Sequence, residues 1–207
     1  MTSLSEIDLD AVVREIVAPT PDPEPTQELV DKAAAFLERR GWTMAVAGAA
    51  DFASAALALA RCSVSERRGI FVFGRYGSGK TAFLKAIRPL FKPALFVPLN
   101  DPEWAEVMDN ELWPNWNADA LKSNVMLDDL GAESAKSDYG VKRELAAEFV
   151  VRYHLRGRGR LFVSTNLAGE ELAERYTARL TSRIKELCLP LRLVGADKRM
   201  WAKGGAR

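Results

Sequence analysis

Gly74-Arg75-Tyr76-Gly77-Ser78-Gly79-Lys80-Thr81 follows the apolar triplet Phe71-Val72-Phe73 and precedes the amphipathic run 82–87. A glycine-rich turn between a strand and a helix is what a phosphate-binding loop requires. Gly74, Gly77 and Gly79 let successive backbone amides turn inward, and Ser78 adds a small polar side chain. The following helix offers its positive end, Lys80 is placed to reach the terminal phosphates, and the Thr81 hydroxyl to ligate magnesium. The same octet in an arbitrary loop says little; its flanks make it specific.

Such a loop needs a carboxylate from a second strand, and Val125-Met126-Leu127-Asp128-Asp129 supplies two. Asp128 is the candidate magnesium partner, and Asp129 the candidate general base for the attacking water. A third apolar run, Leu161-Phe162-Val163, ends in Ser164-Thr165-Asn166 and brings Asn166 to the same carboxyl edge of a sheet, where ligands of open α/β folds collect. Its amide is suited to orient water or meet the terminal phosphate. The other readings are a turn-capping acidic pair and an asparagine that only leads into the next helix.

Outward from these motifs, short apolar runs at 69–73, 94–99, 125–127, 161–164 and 189–194 alternate with helical patterns at 52–61, 80–91, within 102–122, at 141–156 and at 170–187. That alternation predicts an α/β domain with a parallel sheet covered on both faces, the last run alternating as an edge strand does. Toward the N-terminus, prolines at 19, 21, 23 and 25 mark a linker over 18–25. An apolar series at helical spacing precedes it. After it, Thr26 caps a helix through Arg40 that Gly41 stops, with Leu29, Val30, Ala33, Phe36 and Leu37 on one face. We therefore divide the chain into a helical extension, 1–45, and a nucleotide-binding domain, 46–207. Two short amphipathic helices bury little alone, so they dock on the domain or await a partner.

Composition narrows the class. No apolar run approaches the roughly 20 residues that span a bilayer, and the N-terminus carries Glu6, Asp8 and Asp10 in place of a signal peptide's basic start, so a cytoplasmic protein with no membrane partner is expected. Cys62 and Cys188 belong to no metal-ligand cluster, and His154 lies within a helical run with no chemistry assigned. Lys and Arg number 4 against 10 acids over 1–60 but 15 against 7 over 141–207, so the C-terminal third is either a phosphate-meeting face or a solvated helical surface.

The chain resembles the DnaC-type bacterial helicase loaders and their relatives, the IstB-type transposition helper ATPases, over about residues 65–200. The resemblance rests on GRYGSGKT at 74–81, LDDLGAE at 127–133, STNLAGEEL at 164–172, RLTSRIKELC at 179–188 and VGADKR at 194–199. It implies a three-layer P-loop NTPase of the AAA+ type, with a five-stranded parallel sheet in the order 5-1-4-3-2 and a minimal or absent helical lid. It also implies an ATPase using ATP and Mg2+, slow and assembly-dependent, that binds a replicative DNA helicase and single-stranded DNA and self-associates into an ATP-dependent oligomer. By the same resemblance Asn166 senses the terminal phosphate, Arg183 or its neighbour Arg179 acts on an adjoining subunit's nucleotide, and Arg199 senses nucleotide in cis. A transposition helper would share these residues; a stand-alone P-loop kinase or a non-hydrolysing ATP-binding scaffold would not need assembly. Trp104, Trp113 and Trp116 either pack or stack on bases, though Asp101, Glu103, Glu106, Asp109, Glu111 and Asp119 surround them. Arg156, Arg158 and Arg160 are the candidate DNA contacts.

Overall fold

The computed structural model describes residues 24–65, 69–101, 120–133, 136–138, 141–167, 169–176 and 178–195. Helix α1, Gln27–Arg39, begins where the Thr26 hydroxyl accepts the Leu29 amide at 3.3 Å and ends at Gly41 with φ 78°. A single turn, α2 (Met44–Ala47), capped by Thr43, leads to α3 (Ala49–Val64). Then follow β1 (Gly69–Gly74), α4 (Lys80–Ile87), a 3-10 turn (Arg88–Phe91), β2 (Ala94–Pro98) and β3 (Asn124–Leu130). A hairpin of β4 (Lys136–Asp138) and β5 (Val141–Arg143) comes next. The chain continues through α5 (Leu145–Arg156), β6 (Leu161–Thr165), α6 (Gly169–Arg175), α7 (Ala178–Leu187) and β7 (Cys188–Leu193).

The main sheet runs β2-β3-β6-β1-β7 with every pairing parallel. Counting only its own strands, that is 2-3-4-1-5, the expected order read from the opposite edge. β-strand alternation splits the apolar residues between two cores. Ile70, Val72, Met126, Phe162, Leu189, Leu191 and Leu193 join α3 and α4 on one face. Val125, Leu127, Leu161 and Val163 join Phe149, Val150, Tyr153, Leu172, Leu180 and Ile184 on the other. Pro190 is tolerated within β7 because that strand is an edge, pairing with β1 alone. Both cysteines are buried and neither forms a disulfide. Among the described residues no helix is long and apolar enough to cross a membrane.

The extension takes one of its two expected courses, and two sequence expectations change. Ala33 and Leu37 of α1 lie in the first core with Trp42, whose ring meets Phe52 and Phe83 at 6.1 and 5.3 Å, so this helix of the extension is built into the domain. Residues 141–143, expected to open a helix, pair with 136–138 as a hairpin, and the helix starts at Leu145. The expected helix over 170–187 is two helices, α6 and α7, with Tyr176 between them bonded to Glu133. The expected helix within 102–122 falls mostly outside the described residues.

Candidate nucleotide site

Gly74 ends β1 where only glycine fits: its φ is 152°, and a Cβ there would stand 2.1 Å from the Leu193 carbonyl oxygen. The loop turns through Gly77 and Gly79, both at positive φ, into α4. Lys80 is buried, and its ammonium donates to the Gly74 and Arg75 carbonyls at 2.8 Å each. The Ser78 hydroxyl is buried without a hydrogen-bond partner. These groups open on a cavity of about 390 Å³ lined by Val46, Gly77, Gly79, Lys80, Thr81, Ala82, Lys85, Asp129 and Asn166. Larger hollows lie beside β2 and beneath α6 and α7, but neither contains the loop or the acids.

Three strand ends converge on the two aspartates. Asp128 accepts the Ser164 hydroxyl at 2.5 Å and the Thr81 hydroxyl at 3.2 Å. Burial raises its carboxyl above the ordinary aspartate range; the hydrogen bonds from Ser164 and Thr81 oppose this, and repulsion from Asp129 adds to it. A buried carboxylate beside a threonine hydroxyl, next to a buried unsatisfied serine hydroxyl, fits a metal-phosphate group. Asp129 has φ 62°, rare for a residue with a side chain, and the register of β3 against β6 shifts between Leu127 and Leu130. This irregularity turns the Asp129 carboxylate into the cavity, where the Asn166 amide donates to one oxygen at 3.0 Å and the Asn100 amide to the other at 3.1 Å. The Asp129 amide in turn donates to the Ser164 hydroxyl at 2.9 Å.

Behind Asp129 the turn 129–133 is bracketed by α6. Arg175 donates to the carbonyls of Gly131 and Glu133 and lies 3.6 Å from the Glu144 carboxylate. Tyr176 donates to the Glu133 carboxylate, which also accepts the Gly131 amide at 2.8 Å. Burial, then the Glu133 charge, pushes the Tyr176 phenol up, so it stays a donor.

Gly74, Gly77, Ser78, Gly79, Lys80, Thr81, Asp128, Asp129 and Asn166 are thus gathered at one edge of the sheet. Arg179 and Arg183 are not: both are on α7, away from this cavity. Arg179 is exposed, and Arg183 is held on Glu186 at 2.8 and 2.9 Å, a carboxylate also bonded by His154 at 2.6 Å and Ser182 at 3.2 Å. Arg199, Trp104, Trp113 and Trp116 lie outside the described residues. Arg160 is not a free DNA contact: its guanidinium holds the Cys62 carbonyl and, at 2.6 Å, the Ser65 carbonyl, while Arg156 and Arg158 are exposed.

Sequence reading missed Asn100, Ser164, Val46 and the Arg175–Glu133 bracket. The signal for Asn100 was available, since it ends the apolar run 94–99 as Asn166 ends the run 161–165. Nothing in the sequence pattern singles out Arg175.

Strand order, phosphate loop and paired acids define an α/β P-loop NTPase fold. Over 151 residues, 64% of this chain, the sequence is 29% identical to the replicative helicase loader DnaI of Bacillus subtilis (strain 168), and it spans 48%, about half, of that relative's length. The likeness bears out the resemblance to helicase loaders carried by the motifs. Among solved structures the chain is similar to the DnaC helicase loader (TM-score 0.48, 25% identity, 61% of this chain and 78% of that one). It is also similar to NtrX from Brucella abortus in complex with ATP (TM-score 0.46, 15% identity, 90% of this chain and 42% of that one). No family model matches the chain.

Proposed function

We propose that this chain is an ATP-hydrolysing loader of a replicative DNA helicase, working as a self-associating assembly on single-stranded DNA. The observation that carries the reading is its similarity to the helicase loader DnaI in a chain whose phosphate loop faces a doubly held aspartate.

The amides of Gly77, Ser78 and Gly79 and the Ser78 hydroxyl would hold the phosphates, and Lys80 would exchange two loop carbonyls for phosphate oxygens. Val46 gives the cavity an apolar wall for the base. Thr81 and Asp128 would hold Mg2+, which when bound supplies neutralisation of phosphate charge. Asp129 takes the proton of the attacking water. Asn166 and Asn100 keep its carboxylate aimed, and Asn166, sharing the cavity, exchanges Asp129 for the terminal phosphate when that is present. Arg183, released from Glu186 on assembly, stabilises the transition state in a neighbouring subunit, an effect of about 10³ to 10⁵ in analogous switch proteins. Arg179, one helical turn away, is the substitute if Arg183 is not that residue, and Arg199 contacts nucleotide within its own subunit. Residues 1–45, the outward face of α1 among them, are the helicase-binding element.

Two experiments test the reading. Affinity capture with the intact protein and ATP should retain a replicative helicase; retention of none ends the loader assignment. Mixing Arg183→Ala with Asp129→Asn protein, each nearly inactive alone, should restore part of the hydrolysis as total protein rises. A mixture that co-assembles yet stays inactive removes Arg183 from the trans role.

A further inference from the structure

Beyond the nucleotide cavity, α4 turns a second row of side chains outward. Phe83, Leu84, Ala86 and Ile87 face the core, while Lys85 and Arg88 are exposed beside β2, an edge strand of the sheet. Lys92, after the 3-10 turn, and Arg40, at the end of α1, complete a hollow of about 880 Å³ with Pro89, Pro93, Ala94 and Phe96. Among the described residues no carboxylate lines it. Lys85 and Arg88 stand over the Phe96 ring at 5.7 and 5.8 Å, and Arg88 donates to the Ala94 carbonyl at 3.2 Å. Elsewhere some surface cations have acids: Lys32 has Glu28, Arg61 has Glu24 and Arg183 has Glu186. Four like charges converging with no ion-paired acid among the described residues repel one another, and an external polyanion relieves that repulsion.

We propose that this cleft between α4 and the β2 edge binds the phosphodiester backbone of a nucleic-acid strand through Arg40, Lys85, Arg88 and Lys92. The hollow has more than twice the volume of the nucleotide cavity (880 against 390 Å³), larger than one phosphate group needs. Its remaining walls are proline, alanine and phenylalanine, which offer no side-chain hydrogen-bonding group to read a base edge, so binding follows the backbone and not the sequence. Lys85 lines both hollows and its charge acts on Asp128, so strand and nucleotide share a residue. The proposal rests on the loader reading for the presence of a strand at the site of action.

The test is anisotropy of a labelled oligothymidylate with the full chain, titrated across salt with ATP and magnesium present. Arg88→Gln/Lys92→Gln should lower affinity at least tenfold and reduce the slope of log K against log salt by about 0.7 per contact removed. Its melting temperature and nucleotide affinity should match the parent, and Arg156→Gln/Arg158→Gln should change strand binding less than threefold. Unchanged affinity and slope in the first variant, equal loss in the second, or no strand binding by the parent protein each overturns the proposal. So does a polyglutamate peptide that binds the parent as tightly as the strand and loses affinity in the same variant, since the cleft would then belong to acidic protein. Helicase capture by Arg88→Gln/Lys92→Gln protein reads the loader assignment separately.

Discussion

The nucleotide cavity and the basic cleft beside it are both built on α4, yet they treat charge in opposite ways. In the cavity the loop lysine and both strand-end acids are already answered from within: Lys80 by two loop carbonyls, Asp128 by two hydroxyls, Asp129 by two amides. In the cleft Arg40, Lys85, Arg88 and Lys92 converge with no carboxylate of the described residues among them. An internally satisfied site holds its geometry without ligand and gives up weak internal partners for stronger charge-assisted ones, which suits chemistry. A site of unanswered like charge stores repulsion that only an outside anion removes, which suits docking.

The largest expected effect falls on the base. Asp129→Asn should bind a labelled ATP analogue as the parent does but hydrolyse ATP about 10² to 10⁴ times more slowly, the usual worth of a positioned base. Undiminished turnover would make the double amide clasp a structural device and erase the contrast with the cleft. Next comes Lys80→Ala, which loses charge-assisted contacts of about 1.5–3 kcal/mol each and should bind the analogue on the order of 100-fold more weakly. Equal binding would mean that the lysine never leaves its carbonyls.

Arg175→Ala sharpens the comparison from behind the site. Removing the guanidinium strips donors from the Gly131 and Glu133 carbonyls, so the turn carrying Asp129 loosens. We expect kcat to fall about tenfold, KM to change less than threefold, and Arg175→Lys to recover part of the loss. A parallel rise in KM, or no recovery of kcat in Arg175→Lys, would reduce Arg175 to a scaffold.

The smallest effect concerns Asp128. Its carboxyl titrates above the ordinary aspartate range in the folded protein, because burial disfavours the charge. The folded state therefore binds the proton more readily than the unfolded one. Unliganded protein loses stability as pH rises through that range, whereas magnesium-nucleotide affinity, needing the carboxylate, is lost as pH falls through it. Asp128→Asn removes the buried charge while keeping an acceptor for Ser164 and Thr81. It should raise the melting temperature without ligand by about 2–4 °C, the shift that ~1 kcal/mol produces in a domain of this size, and abolish the magnesium dependence of nucleotide affinity. A lower melting temperature would mean that the carboxylate is stabilising as it stands.

How far the sequence reached follows the range of the interactions involved. The phosphate loop, the five strands of the sheet and the cap at Thr26 are local patterns, set by glycine freedom, side-chain alternation and one hydroxyl, and each was legible within a dozen residues. Asp128, Asp129 and Asn166 were legible because a polar residue at the end of a buried strand is conspicuous. Asn100 carried the same mark but was passed over beside a strongly acidic stretch.

Contacts between distant segments were not legible. That α1 completes a core and does not stand apart depends on Trp42 meeting Phe52 and Phe83. That Arg160 serves Cys62 and Ser65, and Arg175 serves Gly131 and Glu133, depends on where the strands return the chain. The cleft is the clearest case, since Arg40 is more than forty residues from Lys85 and neither belongs to the basic C-terminal third. Sequence by itself determined the five strands of the main sheet, most of the helices around it and the residues that end those strands, because backbone conformation and burial pattern are set largely by near neighbours. Only the tertiary structure decided which charges are answered and which are left open, because Coulomb interactions depend on distance in space and not along the chain.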